Sequence, residues 1–134
     1  MTSAKKGLPI FLIVVFILTL LEAITAIASR KLNFNYSYLS LIAFLAYGLV
    51  AYFVAKRTDR KTGIVYAALV GLFDATVGWW VSMLLKANTG NLKVEITAGI
   101  WVMTAIIVTI TASIFGLIGA WAATRKYVTK STNR

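Results

Sequence analysis

The chain has no cysteine and no histidine, one proline, and only four acidic residues among 134. Without Cys or His there is no thiol nucleophile, no disulfide, no Cys/His zinc site and no His or Cys axial ligand for haem. Neither a nucleophile–base pair nor a carboxylate metal cluster can be assembled from what remains, so no catalytic residue, no metal and no cofactor is expected, and the chain does not read as an enzyme. With Pro9 as the only proline, long stretches are free of the strongest helix breaker.

Charge is scarce as well, at 13% of residues against 60% hydrophobic. A water-soluble domain of this length has no interior large enough for so much apolar side chain. The charges gather in short clusters between four uncharged runs, at about residues 9–29, 38–55, 63–85 and 97–123. Each is near the ~20 residues that cross a hydrocarbon core as a helix. The runs are continuously apolar and rich in Leu, Ile and Ala, unlike the alternating strands of a membrane barrel. The expected fold is an all-α integral membrane bundle of four transmembrane helices, one domain over 1–134. Pro9 falls at the start of the first run, where a missing N–H costs a helix nothing.

Lys5 and Lys6, the run Leu8–Leu21 and the small residues Ala26-Ile27-Ala28 also resemble a secretory signal peptide. Glu22 would be a foreign residue at the end of such an apolar region, so a retained first helix is expected.

Orientation follows from Lys and Arg. Ten fall on one side (Lys5, Lys6, Lys56, Arg57, Arg60, Lys61, Arg125, Lys126, Lys130, Arg134) and four on the other (Arg30, Lys31, Lys86, Lys93). The positive-inside rule then puts both termini and the middle loop in the cytoplasm of a cell (inner or plasma) membrane. The net charge of +10 reads as topology and as contact of Lys56, Arg57, Arg60, Lys61, Arg125 and Lys126 with anionic headgroups, with no call for nucleic acid. Tyr36, Tyr38 and Trp101 fall near the outer boundary, and Tyr52, Tyr66, Trp121 and Tyr127 near the inner one, as in aromatic belts.

The ends of the second and fourth runs echo each other without gaps, Tyr47–Arg57 against Phe115–Arg125, with Gly48 opposite Gly116. A shorter echo sets Leu20-Leu21-Glu22-Ala23 against Leu72-Phe73-Asp74-Ala75. Together they suggest two tandem helical hairpins related by an axis along the membrane normal, with Glu22 and Asp74 as counterparts.

Those two carboxyls are the chemically informative residues. An Asp at the centre of a spanning helix costs about 2.5–3.5 kcal/mol on insertion scales, so it seldom faces lipid. No Lys, Arg or His lies inside any run, which leaves a neutral acid hydrogen-bonded to a hydroxyl or carbonyl as the expected resting state. Gly63, Ala67, Gly71, Asp74, Gly78 and Ser82 recur at helical spacing, a stripe of small residues with the acid in its middle. Small residues admit a neighbouring helix, so Asp74 is expected to face protein. Matching strips are Ser40, Ala43, Tyr47, Ala51 and Ala55 in the second run, and Thr109, Ala112 or Ser113, Gly116 and Ala120 in the fourth. The candidate site is a midplane cluster of Glu22, Tyr47, Asp74 and Thr109, with Thr25, Thr111 or Ser113 as further partners; Gly48 and Gly116 join the stripe as packing positions. Of the adjacent Trp79 and Trp80, at most one can wall this site, because neighbours on a helix point apart.

A four-helix chain with Glu22 in its first helix and Thr62-Gly63-Ile64-Val65-Tyr66-Ala67 opening its third resembles the small multidrug resistance transporters over a short stretch. Asp74, the Trp79-Trp80 pair and the long, basic-tailed fourth helix depart from that pattern, and membership is not inferred.

Small size, small-residue stripes and the lack of a reaction motif favour a non-catalytic membrane subunit or scaffold, in a homodimer or a larger membrane complex. The alternative is a small proton- or cation-coupled transporter or channel that uses Asp74 and Glu22. The first reading predicts a stable partner retained through gentle detergent extraction; a clean monomer or homodimer that binds a ligand counts against it.

Overall fold

The computed structural model describes residues 3–90 and 97–131, with side chains described between residues 5 and 125 of these. Among them there is no strand, and the order is α1 (Ser3–Leu32), a 3-10 turn (Tyr36–Tyr38), α2 (Leu39–Arg57), α3 (Arg60–Phe73), a π-helical turn (Asp74–Gly78), α4 (Trp79–Leu84) and α5 (Ala98–Ser131). The segment from Arg60 to Leu84 is one rod, so four rods are each long and apolar enough to cross a membrane.

Two boundaries lie well outside the apolar runs. The first helix begins at Ser3, which puts Pro9 inside it, and α5 continues to Ser131. Apolar length measures the part that matches hydrocarbon. Lys and Arg are good helix formers and extend the same helix into the flanks. The backbone carbonyl that Pro9 leaves without its usual donor falls four residues back, at Lys5, among exposed side chains.

Local chemistry sets the turns. Asn33 adopts φ 55° just past α1, and the Phe34 N–H reaches back to the Ser29 carbonyl at 3.2 Å, a left-handed helix stop of the kind that Asn tolerates. Between α2 and α3, Thr58 donates its hydroxyl to the Val54 carbonyl at 2.8 Å. Asp59 then caps α3 by accepting from the Thr62 N–H at 2.9 Å and the Thr62 hydroxyl at 2.7 Å. This is an acidic N-cap directly before a helix, and it reverses the chain in two residues.

Packing is inverted relative to a soluble protein. The interior is mostly Ala, Gly and Val, with Val50, Ala51, Val54, Ala67, Val70, Ala112 and Ala120 fully buried, while Phe16, Leu45 and Met103 point outward. Close backbone approach holds the rods together, as expected where lipid tails are as apolar as leucine. A Cβ at Gly63 would lie 2.6 Å from the Ala51 carbonyl oxygen, and one at Gly71 would overlap Ala112. One at Gly116 would fall on Ala67, and one at Gly119 on the Gly48 backbone. The stripe Gly63, Ala67, Gly71, Gly78 and Ser82 is buried along its whole length. Gly48 is half-buried, with the Phe115 carbonyl oxygen 3.6 Å from where its Cβ would be.

The rods are not equally engaged. α2, α3 and α5 pack on one another, whereas α1 touches α2 and the third rod, and no described residue of it packs on α5. An exact two-hairpin symmetry would turn the α2–α3 contact into an α1–α5 contact, so the described packing departs from that symmetry. At one end, Asn88 ties the connections together. Its N–H donates to the Ser29 hydroxyl at 3.0 Å, its side-chain amide to Asn33 at 3.1 Å, and its carbonyl accepts from the Tyr36 N–H at 2.8 Å.

Gly119→Ala is expected to lower unfolding stability by about 1–3 kcal/mol, because the colliding group on α2 is backbone and cannot rotate away. Ile118→Ala, at an outward position, should change it by less than about 1 kcal/mol. Unfolding in mixed micelles titrated with denaturing detergent, followed by circular dichroism, measures both.

Candidate functional site

At the end tied by Asn88 the rods border an open cavity of about 270 Å³, and both acids of the apolar runs line it. Glu22 arrives from α1, 5% exposed. Its carboxylate fits because Gly78 has no side chain: a Cβ there would overlap the carboxylate oxygens. Asp74 opens the π-turn opposite, and the two carboxyl groups lie within hydrogen-bonding reach of each other. Tyr47, 1% exposed on α2, donates its hydroxyl to Asp74 Oδ2. Three of the four residues expected to cluster are therefore together.

Thr109 is not with them. Its hydroxyl donates to the Ala105 carbonyl one turn back at 2.7 Å, and its side chain lines an apolar groove with Leu72 and Ile106 on the outside of the bundle. Thr111 and Ser113 likewise bond back to Ile107 and Thr109, at 2.9 and 2.8 Å. A hydroxyl on a membrane helix satisfies itself on its own carbonyls before it reaches across. Thr25 is half-buried and does not line the cavity.

Other residues complete the walls. Tyr36 from the 3-10 turn is half-buried, and its phenol is a hydrogen-bond partner of the Ser82 side chain. Ser37 and Ser40, both exposed, line the mouth, while Thr104 and Val108 come from α5. Trp79 forms part of the wall and Trp80 is 52% exposed, as adjacent positions on a helix require. Trp101, expected in an outer aromatic belt, turns inward. Its indole N–H donates to the Ala75 carbonyl at 3.1 Å, and its ring meets Trp79 edge-on, 6.2 Å between centroids and 85° between planes. Tyr66, expected in the inner belt, is buried beneath Gly7 and Phe11.

Below the acids the rods close. Val50, Ala51, Ala67 and Val70 are fully buried there, and the small-residue contacts of α2, α3 and α5 leave no lining residue of the cavity on that side. The basic residues Lys56, Arg57, Arg60 and Lys61 are exposed around the α2–α3 turn. Arg125 is exposed with its guanidinium 4.4 Å from the centre of the Trp121 ring. The Lys126 side chain lies outside the described residues. Among the described residues no group of three His, Cys, Asp or Glu side chains converges to hold a metal.

Neither a protein family, a curated protein nor a solved structure matches the chain. Its chemistry is therefore read from the site itself. Two carboxyls in contact, with no cation among the described lining residues, repel each other when both are ionised, and a proton on either one or a cation between them removes that repulsion.

The Tyr47–Asp74 bond is expected to contribute about 1 kcal/mol. A double-mutant cycle of Tyr47→Phe and Asp74→Ala, measured by the same unfolding assay, should give a coupling of roughly that size. Additive losses would mean that the two side chains do not support each other.

Proposed function

We propose that this chain is a small proton- or cation-coupled membrane transporter or channel, with Glu22 and Asp74 as the groups that take up and release the positive charge. One observation carries the reading: the two carboxyls share a cavity whose far walls include the exposed Ser37 and Ser40. Residues that serve only to hold helices together need no such space, and their contact would be dry and closed.

In this reading the chain crosses a cell membrane four times, with both termini and the basic α2–α3 turn on the cytoplasmic side against anionic headgroups. The cavity then opens to the outer face. A proton or small cation enters past Ser37 and Tyr36 and meets the acid pair, where Tyr47 fixes one carboxyl by its hydrogen bond. The close packing of α2, α3 and α5 beneath the pair bars onward passage, so transfer requires these rods to part on the cytoplasmic side. The arrangement is one state of a two-state cycle.

A non-catalytic subunit or scaffold is the second reading, favoured by the extensive outward apolar faces of α1 and α5. The two readings part on flux. In liposomes carrying a pH gradient and a trapped pH dye, the wild-type chain is expected to dissipate the gradient. The double variant Glu22→Gln, Asp74→Asn should do so at least about tenfold more slowly. Unchanged flux in the double variant would sink the mechanism, and a silent wild type that co-purifies with a stoichiometric partner would favour the scaffold.

A further inference from the structure

The third rod has one irregular turn, and it begins at the acid. Across Asp74–Gly78 the helix widens to a π-turn, in which the Trp79 N–H bonds to the Asp74 carbonyl five residues back. Such turns hold one residue more than the α-helical count and commonly mark functional positions. Here the extra residue has a geometric effect. In an α-helix, at about 3.6 residues per turn, positions five apart point well away from each other. Asp74 and Trp79 are five apart, yet both line the same cavity.

The widened turn leaves one backbone group to be satisfied. With the Trp79 N–H bonded elsewhere, the Ala75 carbonyl loses its α-helical donor. Ala75 is buried, and a buried carbonyl without a donor is costly. The donor comes from another helix: Trp101 on α5, through its indole N–H at 3.1 Å. Trp101 is itself placed by the first turn of α5, where its backbone N–H bonds to the Thr97 carbonyl at 3.1 Å and the Thr97 hydroxyl accepts from Ile100 at 3.3 Å. The Trp101 ring also abuts Trp79. One side chain thus holds both the freed carbonyl and the residue that ends the irregular turn.

We propose that Trp101 is the positioning residue of the acid pair: its indole N–H stabilises the π-turn and so keeps Asp74 on the cavity wall that faces Glu22. Without that donor the turn gains by closing to the α-helical pattern, which returns the Trp79 N–H to Ala75 and rotates Asp74 relative to Trp79 and Gly78. The inference rests on the acid pair being the working site. Among the described residues, the titratable groups facing the pair are Tyr36 from the 3-10 turn and Tyr47 from α2, while α5 presents Thr104 and Val108 and no charge.

The wild type is expected to release the protons of the pair in two separated steps that belong to the pair and not to either residue. Infrared difference spectra of the full chain in liposomes, following the carboxylic-acid carbonyl band as pH is stepped, resolve them; Glu22→Gln and Asp74→Asn assign the bands. In Trp101→Phe the two steps should approach each other by about one pH unit or more, the scale of one lost hydrogen bond. Trp80→Phe, at the outward neighbour, should leave the wild-type separation. Benzothienylalanine at position 101, in which sulfur replaces the indole N–H, keeps the ring volume should Trp101→Phe fold poorly, and it should draw the steps together in the same way. Wild-type separation in a folded Trp101→Phe or benzothienylalanine protein overturns the role of Trp101 alone. A single step in the wild type overturns the acid-pair reading beneath it.

Discussion

The bundle is organised around two carboxyl groups with no cation among the described residues that line their cavity. In an apolar environment a carboxyl must find a hydrogen-bond partner, and the sequence has no Lys, Arg or His within its four apolar runs to supply one as an ion pair. The partners are therefore a phenol, a second carboxyl and space. Tyr47 donates to Asp74, Glu22 lies against Asp74, and Gly78 gives up its side chain so that Glu22 can approach. Each of these fixes the azimuth of a helix: α2 must turn Tyr47 inward, α1 must turn Glu22 inward, and the third rod must present Asp74 and Gly78 on one side. The small-residue faces and these polar contacts select the same rotations, so each reinforces the other.

A second constraint pulls against the first. Every backbone carbonyl in a spanning segment needs a donor, which favours unbroken α-helix, whereas placing Asp74, Gly78 and Trp79 along one wall requires a wider turn. The conflict is resolved between helices. The third rod loses one internal donor and α5 returns one through Trp101. Thr76 works in the same region, donating its hydroxyl to the Leu72 carbonyl at 2.7 Å and lying 3.2 Å from the Phe73 carbonyl, so the carbonyls entering the irregular turn are also covered. The irregularity is held by specific donors, and its location at the acid follows from what it does to the acid's direction.

Which parts of this were legible in the sequence depends on the range of the interaction. The four helices follow from apolar length, a property of each segment by itself. The inward direction of Asp74 follows from the spacing of Gly63, Ala67, Gly71 and Gly78, a property of one helix face. Tyr47 is legible because it lies at the depth of Asp74 on a neighbouring strip, and its long phenol reaches across to the acid. The same depth argument places Thr109 in the cluster, but its short side chain folds back onto Ala105, and the difference between the two is side-chain length. Trp101 is not legible in this way. Its partner is a backbone carbonyl freed by a helix irregularity, and nothing in Asp74-Ala75-Thr76-Val77-Gly78 announces a π-turn. An interfacial tryptophan reads as a belt residue until that carbonyl exists. Asn88 is hidden for a similar reason, since its partners Ser29, Asn33 and Tyr36 meet it only after two connections have folded together.

The sequence echo between Leu20–Ala23 and Leu72–Ala75 makes Glu22 and Asp74 look like counterparts, but their surroundings set them apart. Glu22 comes from the rod that packs on α2 and the third rod and not on α5, and its carboxylate is set against the backbone at Gly78. Asp74 stands in the rod that packs on all three others, half-buried, on an irregular turn, with a phenol donating to it. Each carboxyl therefore differs in what can move it. Asp74 is fixed by α2 through Tyr47 and, through the backbone of its own turn, by α5. Glu22 is held by the position of α1, which at this end packs on the π-turn, α4 and the 3-10 turn and bonds through Ser29 to Asn88. A displacement at the pair thus acts on the least engaged of the four rods. Of the four, α1 is the one whose seat depends most directly on the contact between the two carboxyls.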